Sequence, residues 1–143
     1  MTDRAVPFSF ASSMRLKSSW EFDTVFRAGR QLKGELVRIR FLYGECETKV
    51  GVAVGKKIAP AVGRVRGRRI LRESLRRLLP WIKEGVWLVA TLREHALGFD
   101  AVSVYYDAAA LLKRAGLLKK DWNGADWRVD DRRISQEIRQ SRS

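Results

Sequence analysis

The sequence predicts a single domain of the α+β class, and three observations support this. Its 143 residues, 45% of them apolar, are enough for one modest hydrophobic core. Hydrophobic spacing predicts a helix, a group of strands, a second helix, another strand and a closing helix, in that order. Few aliphatic residues and many charges follow position 118. We therefore expect a flexible N-terminal arm at residues 1–14, a folded domain at residues 15–118 and a charged C-terminal tail at residues 119–143.

The first helix is expected between Arg15 and Gly29. Phe22, Val25 and Phe26 recur at i, i+3 and i+4 and so share one helical face. One of the two serines at positions 18 and 19 can cap the start, and Gly29 is a suitable stop. These signals predict a helix of about two to three turns.

Strands are predicted where short strings are rich in β-branched and aromatic residues, at residues 36–43, 49–54 and 86–92. The first string alternates, so that one side carries Val37, Ile39, Phe41 and Tyr43. Arg38 and Arg40 point to the opposite side. A short extra strand between Gln31 and Glu35 is an open alternative.

The segment from Lys56 to Arg77 predicts an amphipathic basic helix. It holds nine Lys or Arg residues and one acid in 22 positions. At about 100° per residue, one side collects small and apolar residues: Gly67, Ile70, Leu71, Ser74, Leu75 and Leu78, with Leu79 at the edge. The other side is cationic: Arg66, Arg68, Arg69, Arg72, Arg76 and Arg77. Arg64, Arg68 and Arg72 follow one another at i+4, so their guanidinium groups can form a row that grips phosphates bidentately.

Charge indicates the class of partner. The net charge of +13 and pI near 10.7 oppose compaction unless anions neutralise them. A solvated helix face usually interleaves acids with bases, whereas the basic helix sets seven arginines against Glu73 alone. Nucleic acid is therefore the expected partner. No apolar run approaches the roughly 18 residues that would span a membrane. Cys46 and His95, each the only one of its type, offer no zinc cluster. The composition thus predicts a reduced, cytosolic, metal-free protein.

A strong closing helix is predicted at residues 106–116, with Gly116 as its stop. Three tryptophans are expected in or beside the core: Trp20, Trp81 and Trp87. For Trp122 and Trp127 in the tail, anchoring and exposure are equally open.

Three linked blocks of sequence resemble a known family. KVGVAVGKKIAPAVGRVRGRRILRE, from Lys49 to Glu73, resembles its Gly-x-x-Val-Ser-Lys-Lys, Ala-Val and Arg-Asn-Arg-x-Lys-Arg-x-x-Arg-Glu signature. Upstream, RLKSSWEFDTVFRAG is similar to its Arg-Leu…Asp-Phe-x-x-Val-Phe-x-x-Gly opening, and downstream LLKRAGLL is similar to its closing helix. The family is the protein subunit of bacterial ribonuclease P, the ribonucleoprotein that removes the 5′ leader from precursor tRNA. The resemblance extends from Arg15 to about Leu118.

The resemblance implies an α-β-β-β-α-β-α fold with a left-handed crossover around the basic helix, similar to a domain of ribosomal proteins. It also implies that the RNA subunit, with Mg²⁺, hydrolyses the phosphodiester, so that the protein supplies no catalytic residue and holds no metal of its own. The residues implied to bind the RNA subunit are Arg64, Arg66, Arg68, Arg69 and Arg72. Those implied to hold the leader, in a cleft between the first helix and the sheet, are Phe22, Phe26, Lys56, Lys57 and Tyr43. We expect a cytoplasmic bacterial protein, monomeric without RNA, that does not bind membranes.

The sequence departs from the family signature at three positions. Val65 replaces the usual Asn on the basic face, Gly67 replaces a branched aliphatic residue, and Gly55 replaces the usual Ser. The cationic contact is unaffected by these changes, whereas the amide contact at position 65 is lost.

The candidate site residues, and the function itself, have alternative interpretations. Aromatic residues at i and i+4, such as Phe22 and Phe26, are more often core residues, and Tyr43 fits the core or the cleft equally well. His95 has no identifiable partner and is interpreted as a loop residue. The alternative function is a structural RNA-binding protein of ribosomal type, or a DNA-binding module. A protein-only nuclease would require clustered carboxylates or histidines, which the predicted elements do not bring together.

Overall fold

The computed structural model describes residues 15–16, 18–44, 47–55 and 60–128. Within them the elements are α1 (Ser19–Ala28), β1 (Arg30–Lys33), β2 (Val37–Tyr43), β3 (Lys49–Ala53), α2 (Ala61–Arg76), β4 (Val86–Leu92) and α3 (Ala101–Arg114). Short 3-10 turns lie at Leu79–Trp81 and Glu94–Gly98. The order α-β-β-β-α-β-α confirms the predicted α+β fold, and β1 occupies the position that was left open for an extra strand. The predicted arm at residues 1–14 and the tail beyond residue 128 lie outside the described residues.

The four strands form one mixed sheet in the order β1-β2-β4-β3. β2 pairs antiparallel with β1 and β4, whereas β3 and β4 are parallel neighbours joined through α2. α2 is therefore a basic crossover helix, as the family resemblance implies. Arg15 and Leu16 extend the sheet edge, because Arg15 bridges Val50 in parallel and the Leu16 N–H donates to the Val50 carbonyl at 3.2 Å.

The main core lies between one face of the sheet and the two longer helices. Val37, Ile39 and Phe41 of β2 are buried there with their partners on β4. α2 buries the residues that its helical period predicts: Gly67, Ile70, Leu71, Ser74 and Leu75, continued by Leu78 and Leu79. The opposite sheet face carries α1 and a smaller cluster around Leu16, Val25 and Val89.

The packing around Gly67 explains why this chain has glycine where the family signature has a branched aliphatic residue. A Cβ at this position would lie 2.8 Å from Val54 Cγ2 and 3.1 Å from Leu92 Cδ1. These distances are too short for carbon atoms, so a branched residue would push the helix away from the sheet. The glycine lets α2 pack closely against β3 and β4, at the cost of some helix propensity.

α3 starts earlier than predicted, at Ala101 rather than at Tyr106. Asp100 caps the new start, since its carboxylate accepts the Ser103 N–H at 2.9 Å. That bond lowers the pKa of Asp100, and the Ser103 hydroxyl adds to the effect. Valine at positions 102 and 104 hid this first turn, because the alternation looks strand-like. The end is as predicted: Gly116 has φ 75° and closes the helix.

The first part of the tail packs on the domain. Trp122 and Trp127 are half-buried against the core, so these residues anchor the chain. The Tyr105 hydroxyl accepts the Asp126 N–H at 2.9 Å. Residues 119–128 therefore extend the domain past its predicted end at position 118.

The remaining tryptophans differ in environment. Trp81 is buried and Trp87 is half-buried, as expected. The expectation for Trp20 is wrong, because its side chain is 62% exposed. α1 instead turns Glu21 and Val25 towards the sheet. A buried carboxylate normally needs a partner, and Lys49 Nζ lies 2.9 Å from the Glu21 carboxylate.

Candidate nucleic-acid interface

The outward face of α2 is a cationic surface, hereafter the α2 arginine face. It comprises the five predicted arginines: Arg64, Arg66, Arg68, Arg69 and Arg72. Arg66, Arg69 and Arg72 are exposed, and the other two are half-exposed. Arg66, Arg69 and Arg72 project away from the side that packs on the sheet. Arg64 and Arg68 lie along the margin of that side, about one turn from the buried Gly67 and Leu71. The structure thus brings the predicted residues onto one surface.

Positive charges are crowded at one point of the α2 arginine face. Partial burial lowers the pKa of Arg72, and the nearby charges of Arg15 and Arg68 lower it further. Arg15 reaches this position because it bridges Val50 at the sheet edge. Sequence reasoning missed Arg15, since no local pattern connects it with a helix more than forty residues away. Crowded guanidinium groups at an exposed surface favour an anionic ligand such as phosphate.

The C-terminal end of α2 differs from that face. Glu73 lies 2.7 Å from Arg76 and 2.8 Å from Arg77, and Arg77 is 4% exposed. The Arg77 guanidinium stacks 3.4 Å from the centroid of the Trp127 ring. The prediction that Arg77 belongs to the basic surface is therefore wrong, because the tail covers it and Glu73 pairs with it.

A second candidate surface lies along one flank of α1. Phe22 is half-buried, and its ring lies over Gly51, where an added Cβ would come within 2.7 Å of it. Phe26, one turn later, is 39% exposed. Phe22 therefore packs inward, as the core interpretation expects, whereas Phe26 opens to solvent.

Arginines of β2 border this aromatic flank. Arg40 donates 3.1 Å to the Phe26 carbonyl and 2.7 Å to the Gln31 side chain, and its guanidinium lies 5.9 Å from the Phe26 ring centroid. Arg38 is exposed on the same strand and points to the same sheet face. We call Phe22, Phe26, Arg38 and Arg40 the aromatic groove. The alternation of β2 placed both arginines off the core, but only the fold shows that Arg40 adjoins Phe26.

Tyr43 does not join this groove. It lies on the other sheet face, where its ring meets the Phe41 ring edge-on at 6.2 Å between centroids, and it is 62% exposed. Its parity along β2 matches the main core, although its position at the strand end leaves it in solvent. Lys56 and Lys57 lie outside the described residues.

The other candidate polar residues stabilise the fold. The Asp107 carboxylate accepts the backbone N–H groups of Glu35, Leu36 and Val37 at 2.8 to 3.1 Å, which joins α3 to the turn before β2. His95 packs edge-on against Phe99 at 6.4 Å between ring centroids. In the portions of the chain described here, no three His, Cys, Asp or Glu side chains are grouped to hold a metal ion.

The family model described as Ribonuclease P matches residues 10–116. The chain belongs to the ribonuclease P protein family. The ribonuclease P protein component of Symbiobacterium thermophilum is 34% identical over 109 residues, which cover 75% of this chain and 95% of that protein. The component of Oceanobacillus iheyensis is 32% identical over 111 residues, covering 76% and 92%.

Solved ribonuclease P proteins share the fold. The Staphylococcus aureus protein superposes with a TM-score of 0.64 at 18% identity, over 74% of this chain and 98% of that one. The Thermotoga maritima protein gives 0.62 at 27% identity, over 70% and 96%. Family and fold together assign the chain an RNA-binding role in tRNA 5′-end processing, as a component of the ribonuclease P complex with an RNA subunit as partner.

Proposed function

We propose that the chain binds two RNA ligands on two surfaces: the RNA subunit on the α2 arginine face and the leader of precursor tRNA in the aromatic groove. The observation that supports this division is that α1 and α2 pack on opposite faces of one sheet and present different chemistry. One surface is almost purely cationic. The other pairs aromatic rings with arginines.

The α2 arginine face suits a folded RNA. Guanidinium groups grip phosphate oxygens bidentately, and a rigid helix presents them at fixed spacing. Arg66, Arg69 and Arg72 are exposed, so a phosphate can reach them without rearrangement of the core. Binding relieves the repulsion that Arg15 and Arg68 exert on Arg72.

The aromatic groove suits a single strand. Bases stack on aromatic rings whatever their sequence, and flanking cations follow the phosphates. Phe26 offers a partly exposed ring, and the Arg40 guanidinium lies beside it. Leader sequences differ from one precursor to another, so sequence-tolerant stacking is the recognition they require.

Catalysis is assigned to the RNA subunit with Mg²⁺. This assignment follows the ribonuclease P family, to which the chain belongs. The protein contributes binding and orientation, which lower the Mg²⁺ concentration that the RNA needs. We expect it to act as a monomer in the cytoplasm. Among the described residues, no helix is long and apolar enough to cross a membrane.

Processing of a precursor tRNA by a bacterial ribonuclease P RNA at low Mg²⁺ tests the proposal. The protein should stimulate cleavage at the 5′ end of the mature tRNA sequence. Absence of stimulation, with an RNA that is competent at high Mg²⁺, would contradict the function. Binding without stimulation would instead support a structural RNA-binding protein of ribosomal type.

The aromatic groove has its own test. Phe26→Ala and Arg40→Ala should weaken binding of precursor tRNA to the holoenzyme, each by about tenfold, and leave binding of mature tRNA unchanged. Phe99→Ala is the matched control, because Phe99 is similarly exposed at 43% but contacts His95 away from α1. Equal losses for precursor and mature tRNA would place the leader elsewhere.

A further inference from the structure

α1 divides the sheet face beneath it into two grooves. Glu21 and Val25 face the sheet, and about 100° per residue then places Phe22 and Phe26 on one flank of the helix. The same arithmetic places Trp20 and Thr24 on the other flank. The aromatic groove follows the first flank. The second flank borders a separate cavity.

This cavity, the tryptophan pocket, has a volume of about 520 Å³. Trp20 and Trp87 form two of its walls, with ring centroids 6.1 Å apart and planes inclined at 54°. Leu42 of β2 adds an apolar surface. The volume and apolar lining match those of pockets that bind small organic groups. Trp20 leaves 62% of its surface in water, which is unusual for so large an apolar side chain.

The polar groups around the tryptophan pocket leave its floor nearly neutral. Lys49 Nζ lies 5.4 Å from the Trp87 ring centroid, but it is also 2.9 Å from the Glu21 carboxylate, which neutralises it. The Trp87 indole N–H lies against Gly44 at the wall, buried and without a hydrogen-bond partner. Glu47 stands exposed at the rim. Such a pocket fits a flat, uncharged ring and does not fit a phosphate.

We propose that the tryptophan pocket binds an unpaired base of single-stranded RNA, as a site distinct from the aromatic groove. The proposal rests on the RNA-binding function above. Both grooves open on the same sheet face and are separated only by α1, which is about 10 Å across. A strand that lies in the aromatic groove can therefore cross the helix and place a further base against the exposed Trp20 ring, beside Trp87. Arg27, exposed one turn beyond Thr24 on the same flank, is available to the phosphates.

Fluorescence titration of the full chain with hexa-adenylate, and with adenosine alone, tests this site. Both should quench tryptophan emission, since a base stacks on Trp20. Trp20→Ala should weaken hexa-adenylate binding about tenfold or more, while Trp20→Phe keeps the ring and retains most of the affinity. Because Trp20 is exposed, neither change should alter the melting temperature. Unchanged affinity in Trp20→Ala would overturn the proposal.

Two further variants identify the ligand and separate this site from the leader site. Glu47→Gln should tighten hexa-adenylate binding and leave adenosine binding unchanged, because only the oligonucleotide carries phosphates that the carboxylate repels. Unchanged or weaker hexa-adenylate binding in Glu47→Gln would mean that no phosphate passes Glu47 and would overturn the proposal. Phe26→Ala, measured in parallel, reports on the aromatic groove alone. A loss with Phe26→Ala but none with Trp20→Ala rejects the pocket and preserves the leader site, whereas the reverse result rejects the leader site.

Discussion

The arginines of α2 fall into two groups that lie on the same helix but differ in their salt bridges and aromatic contacts. Arg68 and Arg72, on the α2 arginine face, form no salt bridge within the described residues. Arg76 and Arg77, one to two turns later, share the carboxylate of Glu73, and Trp127 covers Arg77. The first group raises the electrostatic energy of the free protein. The second lowers it.

This difference shows that a count of basic residues overestimates an interface. All seven arginines between positions 64 and 77 look equivalent in the sequence, and helical projection placed Arg76 and Arg77 on the cationic side. Only the contacts of Arg76 and Arg77 in the folded protein distinguish these two residues from the others. A guanidinium that already has a carboxylate and an aromatic ring gains little from a phosphate, whereas one surrounded by other cations gains much.

The largest expected effect is on RNA binding, when the first group of arginines is removed. Replacement of both Arg68 and Arg72 by Ala should weaken binding to the ribonuclease P RNA by about 3 kcal/mol, roughly a hundredfold, since two charge-assisted contacts are lost. The slope of log affinity against log salt should fall by about 0.9 for each lost phosphate contact, if the contacted RNA behaves as duplex DNA does. Titration over a salt series measures both quantities. The melting temperature of the free protein should not fall, because the change removes repulsion.

Arg77→Met is the matched control for that experiment. It removes one positive charge from the same helix but keeps an unbranched apolar stem against Trp127. RNA affinity should be nearly unchanged, while the free energy of unfolding should fall by about 2 kcal/mol, because Glu73 loses a buried partner. An RNA affinity that falls as far as in the double variant would show that charge number alone governs binding.

The second prediction concerns how the ion pairs of Glu73 with Arg76 and Arg77 contribute to stability at different pH. Burial alone would raise the pKa of Glu73, but hydrogen bonds from Arg76 and Arg77 outweigh it and lower that pKa below the usual 4.5. A depressed folded-state pKa stabilises the protein above pH 4.5 and loses that contribution as the pH falls through the folded value. Glu73→Gln should therefore cost about 1 kcal/mol at pH 7, discounted for the partial exposure of the carboxylate. The difference from wild type should begin to shrink as the pH falls towards 4.5 and should vanish once the pH lies below the folded-state pKa.

Urea unfolding at pH 7 and pH 3.5 measures that difference. Glu47→Gln serves as control, because its exposed carboxylate forms no salt bridge within the described residues. A Glu73→Gln penalty that persists at low pH would mean that packing, and not the ion pair, holds Arg77.

Local periodicity was sufficient to predict most of the fold. The buried side of α2 and the alternation of β2 follow from spacing alone, since each element buries one face. The orientation of α1 did not follow. Phe22, Val25 and Phe26 indicated one buried face, but Glu21 takes part of it because Lys49, 28 positions away, neutralises its carboxylate. With Glu21 facing the sheet, α1 is rotated about its axis, so that Trp20 is exposed and the second flank of the helix is open to solvent.

The residues of the candidate site could be predicted from the sequence where they lie on one helix or strand. The five arginines of the α2 arginine face were found together for this reason. Arg15 and Arg40 required the sheet, because their neighbours on α2 and α1 are distant in sequence. Arg77 was misassigned for the same physical reason, since its cover, Trp127, is 50 positions away. Contacts of that range carry no periodic signal in a single sequence.

The smallest expected effect concerns Val65, an apolar residue on the α2 arginine face that is 49% exposed. Val65→Asn restores the amide of the family signature at little cost in helix stability, since the two residues have similar helix propensities. One added neutral hydrogen bond should tighten RNA binding by about 0.5–1.5 kcal/mol, without change in the salt slope, because no charge is added. Val62→Asn, one turn earlier and 82% exposed, is the matched control and should have no effect. Equal gains in both variants would indicate general surface polarity, whereas a gain at position 65 alone would place RNA on the same face as Arg68 and Arg72.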